Sequence, residues 1–418
     1  EGGPKAKFRG NVAAIRLLKS LETEGRRASA EERKTLARFV GWGGLKQSFD
    51  PDNQAWAKEY RELKELLTEP EYAAARRSML DAHYTSPAVV KGMWDGMVRL
   101  GVTSGTVLEP SVGIGNFIGI MPANLRGKVQ IQGVELDRMT AALVRQIYPN
   151  ANIAGPVGFQ DVTLPSDSID AAIGNPPFGS QSLYDPNHPE LKKFSIHNFF
   201  FAKTLDKLRP GGVMGMVVSR YLMDAVDPKA RLWLAQRARF LGAVRLPYTA
   251  FLGNAGTEVV TDIIFLQKRA EPVSEEQAAG GWTDTEVVSL TDPRTGESAQ
   301  FNVNQYYVSG GGQVLGIADA SGKMQARAEY NVVPNPDEDL AEALARALRE
   351  TLPEGVYQAE KPVQDVAPGM AEVPPGLYVG GYFVTDDGRV MQREEDYLAE
   401  PRAKPVELSK QITSKRVA

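Results

Sequence analysis

The residues with the clearest chemical potential are Asn175-Pro-Pro-Phe178, an amide side chain and an aromatic ring separated by two prolines. They follow the apolar run Ser168–Gly174, which predicts a buried strand. Because two prolines cannot continue a sheet, the pattern places Asn175 at the carboxyl end of that strand. Ligands of open α/β sheets bind just outside these ends. We therefore expect a ligand contact here; the alternative is a strand exit closed by an ordinary Asn-Pro turn.

A second candidate site lies upstream, in Glu109-Pro-Ser-Val-Gly-Ile-Gly115. A short apolar strand leads into this glycine turn, a helix follows, and a second strand ends at Glu135, 20 residues after Gly115. A doubly wound nucleotide-binding unit has at this spacing the carboxylate that binds ribose hydroxyls. The turn is shorter than the dinucleotide fingerprint Gly-x-Gly-x-x-Gly, and Asn116 is not glycine. This favours an adenosyl ligand without phosphates.

The elements that position these residues predict an α/β fold. Strand and helix patterns alternate through residues 81–270, which indicates a mostly parallel sheet with helices on both faces. Residues 1–80 predict a helical N-terminal domain. Residues 271–352 predict a small α+β accessory domain, and 353–418 a Pro-rich linker followed by a hairpin and tail.

The helical front of the chain has clear start signals. Asn11 is a plausible N-cap for a helix over 11–24, and Ser29 with Glu32 forms a capping box for a second helix. Trp42 lies in the glycine-rich run Val40-Gly-Trp-Gly-Gly-Leu45. It is either a stacking surface for a base or, as we favour, an anchor that holds the turn to the core.

The composition excludes several classes of site. The 418 residues include no cysteine, which removes thiolate chemistry and disulfides, and only three histidines, which argues against a multi-histidine metal centre. No apolar run approaches the roughly 20 residues of a membrane span. The net charge of −4 does not indicate a nucleic-acid binder, but basic residues outnumber acidic ones, 16 to 12, in residues 1–80. This local surplus permits DNA contact.

Taken together and in this order, these motifs resemble a known family. The turn Glu109–Gly115, Glu135, Asp161 and Asn175-Pro-Pro-Phe178, with Tyr84-Thr-Ser-Pro87 ahead of them, are similar to S-adenosylmethionine-dependent DNA adenine-N6 methyltransferases of the gamma class. The resemblance covers about residues 83–268. Residues 8–49 resemble the large methylase–helicase proteins of phages and conjugative elements, some of which act in anti-restriction. The helicase region is absent here and the chain does not begin with Met, so we expect the methylase part of a longer cytoplasmic protein.

The resemblance implies a Rossmann-like class I methyltransferase sheet, mostly parallel with an antiparallel last strand, and S-adenosylmethionine as cofactor. By this resemblance, the amine that accepts the methyl group would be bound by Asn175, Pro176, Pro177 and Phe178. Phe178 would stack on an adenine that is flipped out of duplex DNA. Glu135 would hold the ribose hydroxyls, and Asp161 with Val162 the cofactor's adenine. The methionine end would contact Tyr84, Thr85 and the turn that contains Glu109, Pro110, Gly113 and Gly115.

Several alternatives stay open at this point. The tetrad also suits a methyltransferase for RNA or for a protein glutamine, since these acceptors likewise present a planar conjugated nitrogen. A non-catalytic adenosyl-binding module that loads DNA for an attached motor is a third possibility. Thr85 is as readily a helix N-cap, and we interpret His197 as a packing or surface residue of an amphipathic helix. Tyr184 and His188, in the loop after the tetrad, are guesses for DNA contact.

Overall fold

The computed structural model describes residues 3–81, 85–251, 259–324, 327–358, 382–384, 390–394 and 402–405. The chain forms two compact units, Glu1–Ala359 and Glu360–Ala418. The α-helices of the described residues, in chain order, are α1 Pro4–Glu24, α2 Ala30–Leu36, α3 Ala57–Leu66, α4 Glu69–Asp81, α5 Pro87–Arg99, α6 Asn116–Gly119, α7 Arg138–Ile147, α8 Ile196–Lys207, α9 Tyr221–Asp224, α10 Lys229–Arg237, α11 Glu275–Ala278, α12 Gln305–Val308 and α13 Leu340–Thr351. None of them combines the length and the hydropathy that a membrane span requires.

The strands of the first unit are β1 Gly105–Glu109, β2 Val129–Val134, β3 Asn152–Ala154, β4 Ile169–Gly174, β5 Leu208–Ser219, β6 Ala238–Leu246, β7 Thr261–Lys268, β8 Thr285–Thr291, β9 Ser298–Asn304, β10 Gln313–Val314, β11 Ile317–Met324 and β12 Arg327–Val333. Eight of them form one sheet in the order β10-β6-β7-β5-β4-β1-β2-β3. All its neighbours are parallel except β7, which runs antiparallel between β5 and β6. The predicted Rossmann-like α/β sheet, mostly parallel with one antiparallel strand, is therefore confirmed, and β7 is the antiparallel strand.

Helices cover both faces of this sheet, as the alternating pattern predicted. On one face, α5 and α13 pack against buried side chains of β5, β6 and β7. On the other face, α8 and α10 bury an aromatic cluster that includes Phe199, Phe200 and Phe201. The carboxyl ends of β1, β2 and β4 meet at one edge of the sheet because these strands are parallel neighbours.

Residues beyond 270 take part in this core. β10 adds an edge strand beside β6, and α13 packs on α5. A Cβ atom on Gly92 would lie 2.5 Å from Leu344 Cδ2, so this glycine allows the two helices to approach closely. The predicted boundary at residue 270 thus does not coincide with a break in packing. The pairs β8–β9 and β11–β12 form two small antiparallel sheets outside the main one.

The front helices differ from the prediction at one point. Helix α1 begins at Pro4, with Gly3 in the N-cap position, so the expected N-cap at Asn11 is wrong. Proline suits the first turn of a helix because it lacks the N–H that would have no partner there. Asn11 is instead buried, donates to the Gly41 carbonyl (2.6 Å) and accepts from the Val40 amide (2.9 Å). It therefore holds the glycine-rich turn against α1.

Two other front features are confirmed. The Ser29–Glu32 capping box is present at the start of α2. Trp42 is 3 % exposed and lies among the rings of Phe8, Phe39 and Phe49, with centroid distances of 6.4, 6.1 and 5.3 Å. The tryptophan anchors its turn to the core, as favoured above.

In the second unit the described strands are β13 Tyr382–Val384, β14 Val390–Glu394 and β15 Arg402–Pro405. β13 pairs antiparallel with β14, and β15 adds a third strand; the turn of the predicted hairpin lies outside the described residues.

We expect Leu344→Ala to lower the free energy of unfolding of the first unit by about 2–5 kcal/mol, because this side chain of α13 is fully buried where α13 packs on α5. Chemical denaturation measures this loss. Val287→Ala is the control, since Val287 is 64 % exposed and the change should stay within about 0.5 kcal/mol. A loss for Leu344→Ala no larger than the control would show that α13 is not part of the core.

Candidate functional site

A cavity of about 850 Å³ lies at the edge of the sheet where β1, β2 and β4 end. This volume suits a ligand of the size of a nucleoside derivative. Its walls come from the segments that follow β1, β2, β3 and β4, and from the helical front, chiefly α1 and α4. The predicted residues that line it are Thr85, Glu109, Pro110, Gly113, Glu135, Asn175, Pro176 and Pro177.

The glycine turn after β1 is held by the next strand. The Val112 amide donates to the Val134 carbonyl at 2.9 Å, and the Gly113 amide donates to Glu135 Oε2 at 2.8 Å. Gly113 and Gly115 have positive φ angles of 55° and 80°, which glycine adopts without strain. Gly113 lines the cavity, whereas Gly115 lies behind it and turns the chain into α6.

Glu135, just beyond β2, organises this edge. Its two carboxylate oxygens accept the amide hydrogens of Gly113 (2.8 Å) and Asp137 (2.7 Å). Burial disfavours the charged form more than these donors favour it, and the pKa of Glu135 is raised to about 7. Each oxygen accepts one of these bonds and has a second lone pair, so the carboxylate can still accept hydroxyl donors from a ligand.

Glu109 is the most deeply buried acid of the cavity wall. It is 1 % exposed, and its Oε2 accepts no hydrogen bond from the described residues. Burial, together with repulsion from Glu135, raises its pKa well above the usual range. A buried carboxyl oxygen of this kind suits a cationic or hydrogen-bond-donating group of a ligand.

Asn175 lies directly after β4, and its neighbours determine its orientation. Its Nδ2 donates to Thr85 Oγ1 at 3.1 Å, so Oδ1 is the acceptor end of the amide. The Ser111 hydroxyl donates to the Asn175 backbone carbonyl at 3.1 Å, and Asn116 Nδ2 donates to the Thr85 carbonyl at 3.2 Å. Thr85 thus links the start of α5, the end of β4 and α6. The N-cap of α5 is Ser86, so the reading of Thr85 as that N-cap is wrong.

Four predicted site residues are not brought to the cavity, and a fifth, Tyr84, lies outside the described residues. Phe178 is partly buried against the main core cluster. Asp161 is exposed, with its carboxylate accepting from Gln160 Nε2 at 2.7 Å, and Val162 is buried behind the wall. Gly115 lies behind the cavity, where the chain turns into α6. The assigned roles of Phe178, Asp161 and Val162 stay predictions.

The structure adds residues that the sequence reasoning missed. Phe159 and Gln160, which directly precede Asp161, line the cavity together with Phe200. The rings of Phe159 and Phe200 are 5.1 Å apart at an interplanar angle of 38°. The aromatic residue in the run Gly158-Phe-Gln-Asp161 was a local signal from which this contribution to the cavity could have been predicted. Nothing local indicated the contribution of α4, whose Ala74 and Ser78 line the opposite side.

His197 is a packing residue, as predicted. It is 8 % exposed and does not line the cavity. Burial lowers its pKa to about 4, so the imidazole is neutral at physiological pH.

Comparison with known proteins found no matching family model. Among curated proteins, the chain is 28 % identical over 269 residues to Defense against restriction protein B of Escherichia phage P1. That alignment covers 64 % of this chain and 10 % of the relative, so the chain spans about a tenth of the relative's length.

Solved structures were compared as well. The methyltransferase subunit of a type I restriction-modification system from Streptococcus thermophilus is 14 % identical, with a TM-score of 0.41 over 83 % of this chain and 87 % of that one. The EcoKI M protein, of a type I restriction enzyme, is 15 % identical, with a TM-score of 0.38 over 81 % and 88 %.

We expect Gly115→Ala to lower the free energy of unfolding by about 1–3 kcal/mol more than Gly127→Ala does. Both glycines have positive φ (80° and 78°), so both substitutions strain the backbone. Only at Gly115 would the new Cβ meet a neighbour, Tyr148 Cε2 at 2.5 Å, whereas nothing lies within 4 Å at Gly127. Urea denaturation compares the two variants, and equal losses would show that the Tyr148 ring moves aside at no cost.

Proposed function

We propose that this chain transfers a methyl group from S-adenosylmethionine to the N6 amine of adenine in DNA. The observation that supports this most directly is the single cavity shared by Asn175, at the end of β4, and the acidic residues Glu109 and Glu135, at the ends of β1 and β2. It places an amide acceptor beside a set of groups suited to an adenosyl ligand with a positive charge.

S-adenosylmethionine is the expected cofactor of a class I methyltransferase sheet, and the residues present fit it. Glu135 would accept the two ribose hydroxyls, and the buried Oε2 of Glu109 would accept from the cationic methionine end. Phe159 and Phe200 offer aromatic surface for the cofactor's adenine. When bound, the cofactor supplies an electrophilic methyl on a sulfonium.

The acceptor chemistry assigned to Asn175 needs no general base before attack. The adenine amine is conjugated with its ring and is a poor nucleophile. Asn175 Oδ1 and the Pro176 carbonyl would accept its two N–H bonds, which directs the nitrogen lone pair toward the methyl group and offsets the charge that develops during transfer. The neutral His197, away from the cavity, is consistent with this account.

The choice of DNA rests on the likeness to the phage P1 relative and on the basic front of the chain. We further propose that the adenine is flipped out of the duplex and stacked on Phe178. The role would be the protection of phage or mobile-element DNA from restriction, with a helicase region elsewhere in the full protein. No recognition domain is evident in the sequence, so we expect low or very short specificity.

Methyl transfer to nucleic acid tests the proposal. The chain is incubated with S-adenosylmethionine labelled in the methyl group and with duplex DNA, RNA or a release-factor protein in parallel. We expect label in DNA as N6-methyladenine; label only in RNA or protein would refute the DNA assignment. Sequencing of the methylated adenines would reveal any long consensus, which would contradict the expected low specificity.

Asn175→Ala should lower the rate of methyl transfer by about 10²–10³-fold, because it removes an acceptor that acts on the developing charge. Cofactor affinity, measured by calorimetry, should change by no more than about twofold, since the loss falls on the transition state. The matched control is Asn187→Ala, an exposed asparagine in the loop after the proline pair. Full activity of Asn175→Ala would falsify its assigned role.

Cofactor affinity should fall with decreasing pH. The ionised carboxylate of Glu135 is the acceptor for ribose hydroxyls, and its pKa of about 7 means that it is protonated at lower pH. Between about pH 8 and about pH 6 the dissociation constant should rise about tenfold, as for one proton competing with the ligand. Calorimetric titration across this range measures the effect. In Glu135→Gln the affinity should be lower and this tenfold step absent; an unchanged step would assign it to another group.

A further inference from the structure

A buried lysine joins the two sides of the cavity. Lys203 on α8 is 1 % exposed. Its Nζ donates to Asp185 Oδ2 at 2.7 Å and to the backbone carbonyls of Gln160 and Val162, both at 3.2 Å. The same atom lies 5.1 Å from the centroid of the Phe159 ring. All three ammonium protons thus have acceptors, which identifies the residue as a charged Lys⁺ inside the protein.

The partners of Lys203 lie in two different segments of the chain, and each segment has residues that line the cavity. Phe159 and Gln160 lie on the wall after β3, where the cofactor's adenine is placed in the proposed function. Asp185 lies in the loop after Asn175-Pro-Pro, which is called the acceptor-side loop below. Leu183, two residues before Asp185, lines the cavity. Asp185 is fully buried and also accepts the amide hydrogen of Asn187 at 2.8 Å.

The opposite charges of Lys203 and Asp185 hold these two segments together. Burial opposes the charge on Asp185, but the hydrogen bond and the charge of Lys203, together with the hydrogen bond from the Asn187 amide, outweigh burial and hold the pKa of Asp185 below its usual range. Burial also lowers the pKa of Lys203, with Asp185 opposing that shift. We take both groups as charged because every ammonium proton is satisfied. A buried pair of this kind cannot lose one partner without leaving an uncompensated charge, so the two segments are held in one arrangement.

We infer that Lys203 is a positioning residue that fixes the segment Phe159–Val162, of which Phe159 and Gln160 line the cavity, to the acceptor-side loop around Asp185, so that a cofactor bound against the first segment also stabilises the loop. The inference rests on the proposed function, because the cavity's ligands are those named there. Lys203 touches neither ligand; it acts through the two loops. Neither the glycine turn nor the Asn-Pro-Pro-Phe motif includes it.

The chain provides a close control one helical turn away. Lys207 on α8 is also buried, at 4 % exposed, and donates to Asp206 Oδ2 at 2.8 Å, with His188 Nε2 at 3.2 Å. It makes no contact with Phe159–Val162 and does not line the cavity. A substitution there tests the loss of a buried lysine from the same helix that contacts the acceptor-side loop through His188 but not the segment Phe159–Val162, so it does not remove the link between the two segments.

The test compares Lys203→Met/Asp185→Asn with Lys207→Met in the full chain. The double variant removes both charges, so no unpaired ion is left inside. We measure the dissociation constant of S-adenosylmethionine by calorimetry, with and without an adenine-containing duplex, and the apo unfolding midpoint. In the double variant we expect the dissociation constant of S-adenosylmethionine to rise about tenfold. We also expect the ratio of the dissociation constants measured without and with the duplex to fall toward one. Lys207→Met should leave both within about twofold of the wild type.

Two results would overturn the inference: a folded double variant with wild-type cofactor affinity and ratio, or the same changes in Lys207→Met. A second measurement on the wild-type chain does not depend on the variants folding. Hydrogen exchange should show that the cofactor protects amides in 181–190 as well as in 157–163, and protection of 157–163 alone would reject the coupling. Absence of any cofactor binding by the wild type would instead refute the proposed function itself, and this inference with it.

Discussion

The hydrogen bonds between Glu135 and the amides of Gly113 and Asp137 are the interaction on which the site depends most. They connect the turn after β1 to the end of β2, so the glycine backbone, the acid and the start of α7 form one rigid corner. The sheet supplies the framework, because parallel strands bring their carboxyl ends to one edge. Thr85 extends this corner to β4 by accepting from Asn175.

This corner is electrostatically costly without a ligand. Glu109 is buried and Glu135 is partly buried, and no basic side chain is hydrogen-bonded to either of them among the described residues. The folded protein keeps the proton of Glu135 up to about pH 7, whereas the unfolded chain releases it near the ordinary value of 4.5. The free energy of unfolding therefore falls as the pH rises across this interval. A cation bound beside Glu109 would offset this cost, which is why two acids with raised pKa values point to a binding site rather than to a structural cluster.

The sequence predicted the parts of the site whose signals are local. A strand ending at Asn175-Pro-Pro and a turn with Gly113 and Gly115 follow from backbone preferences of neighbouring residues, and the sheet follows from their alternation with helices. Lys203 was not predictable because its partners lie 18, 41 and 43 residues away in the chain. The place of Phe178 could not be derived either: the tetrad puts the ring next to Asn175, but packing against the core decides which way it turns.

The cavity is not a property of the sheet alone. α4 forms its far wall, and the turn that contains Trp42 also lines it. The same front helices share a core cluster with Leu143 of α7, the helix that starts at the Glu135 corner. Any ligand held between Glu135 and α4 therefore touches both layers, so its binding energy also stabilises the packing of the front helices on the sheet. The front of the chain is therefore part of the binding site, because without it the ends of β1, β2 and β4 would open to solvent and water would hydrate Glu109 and Glu135.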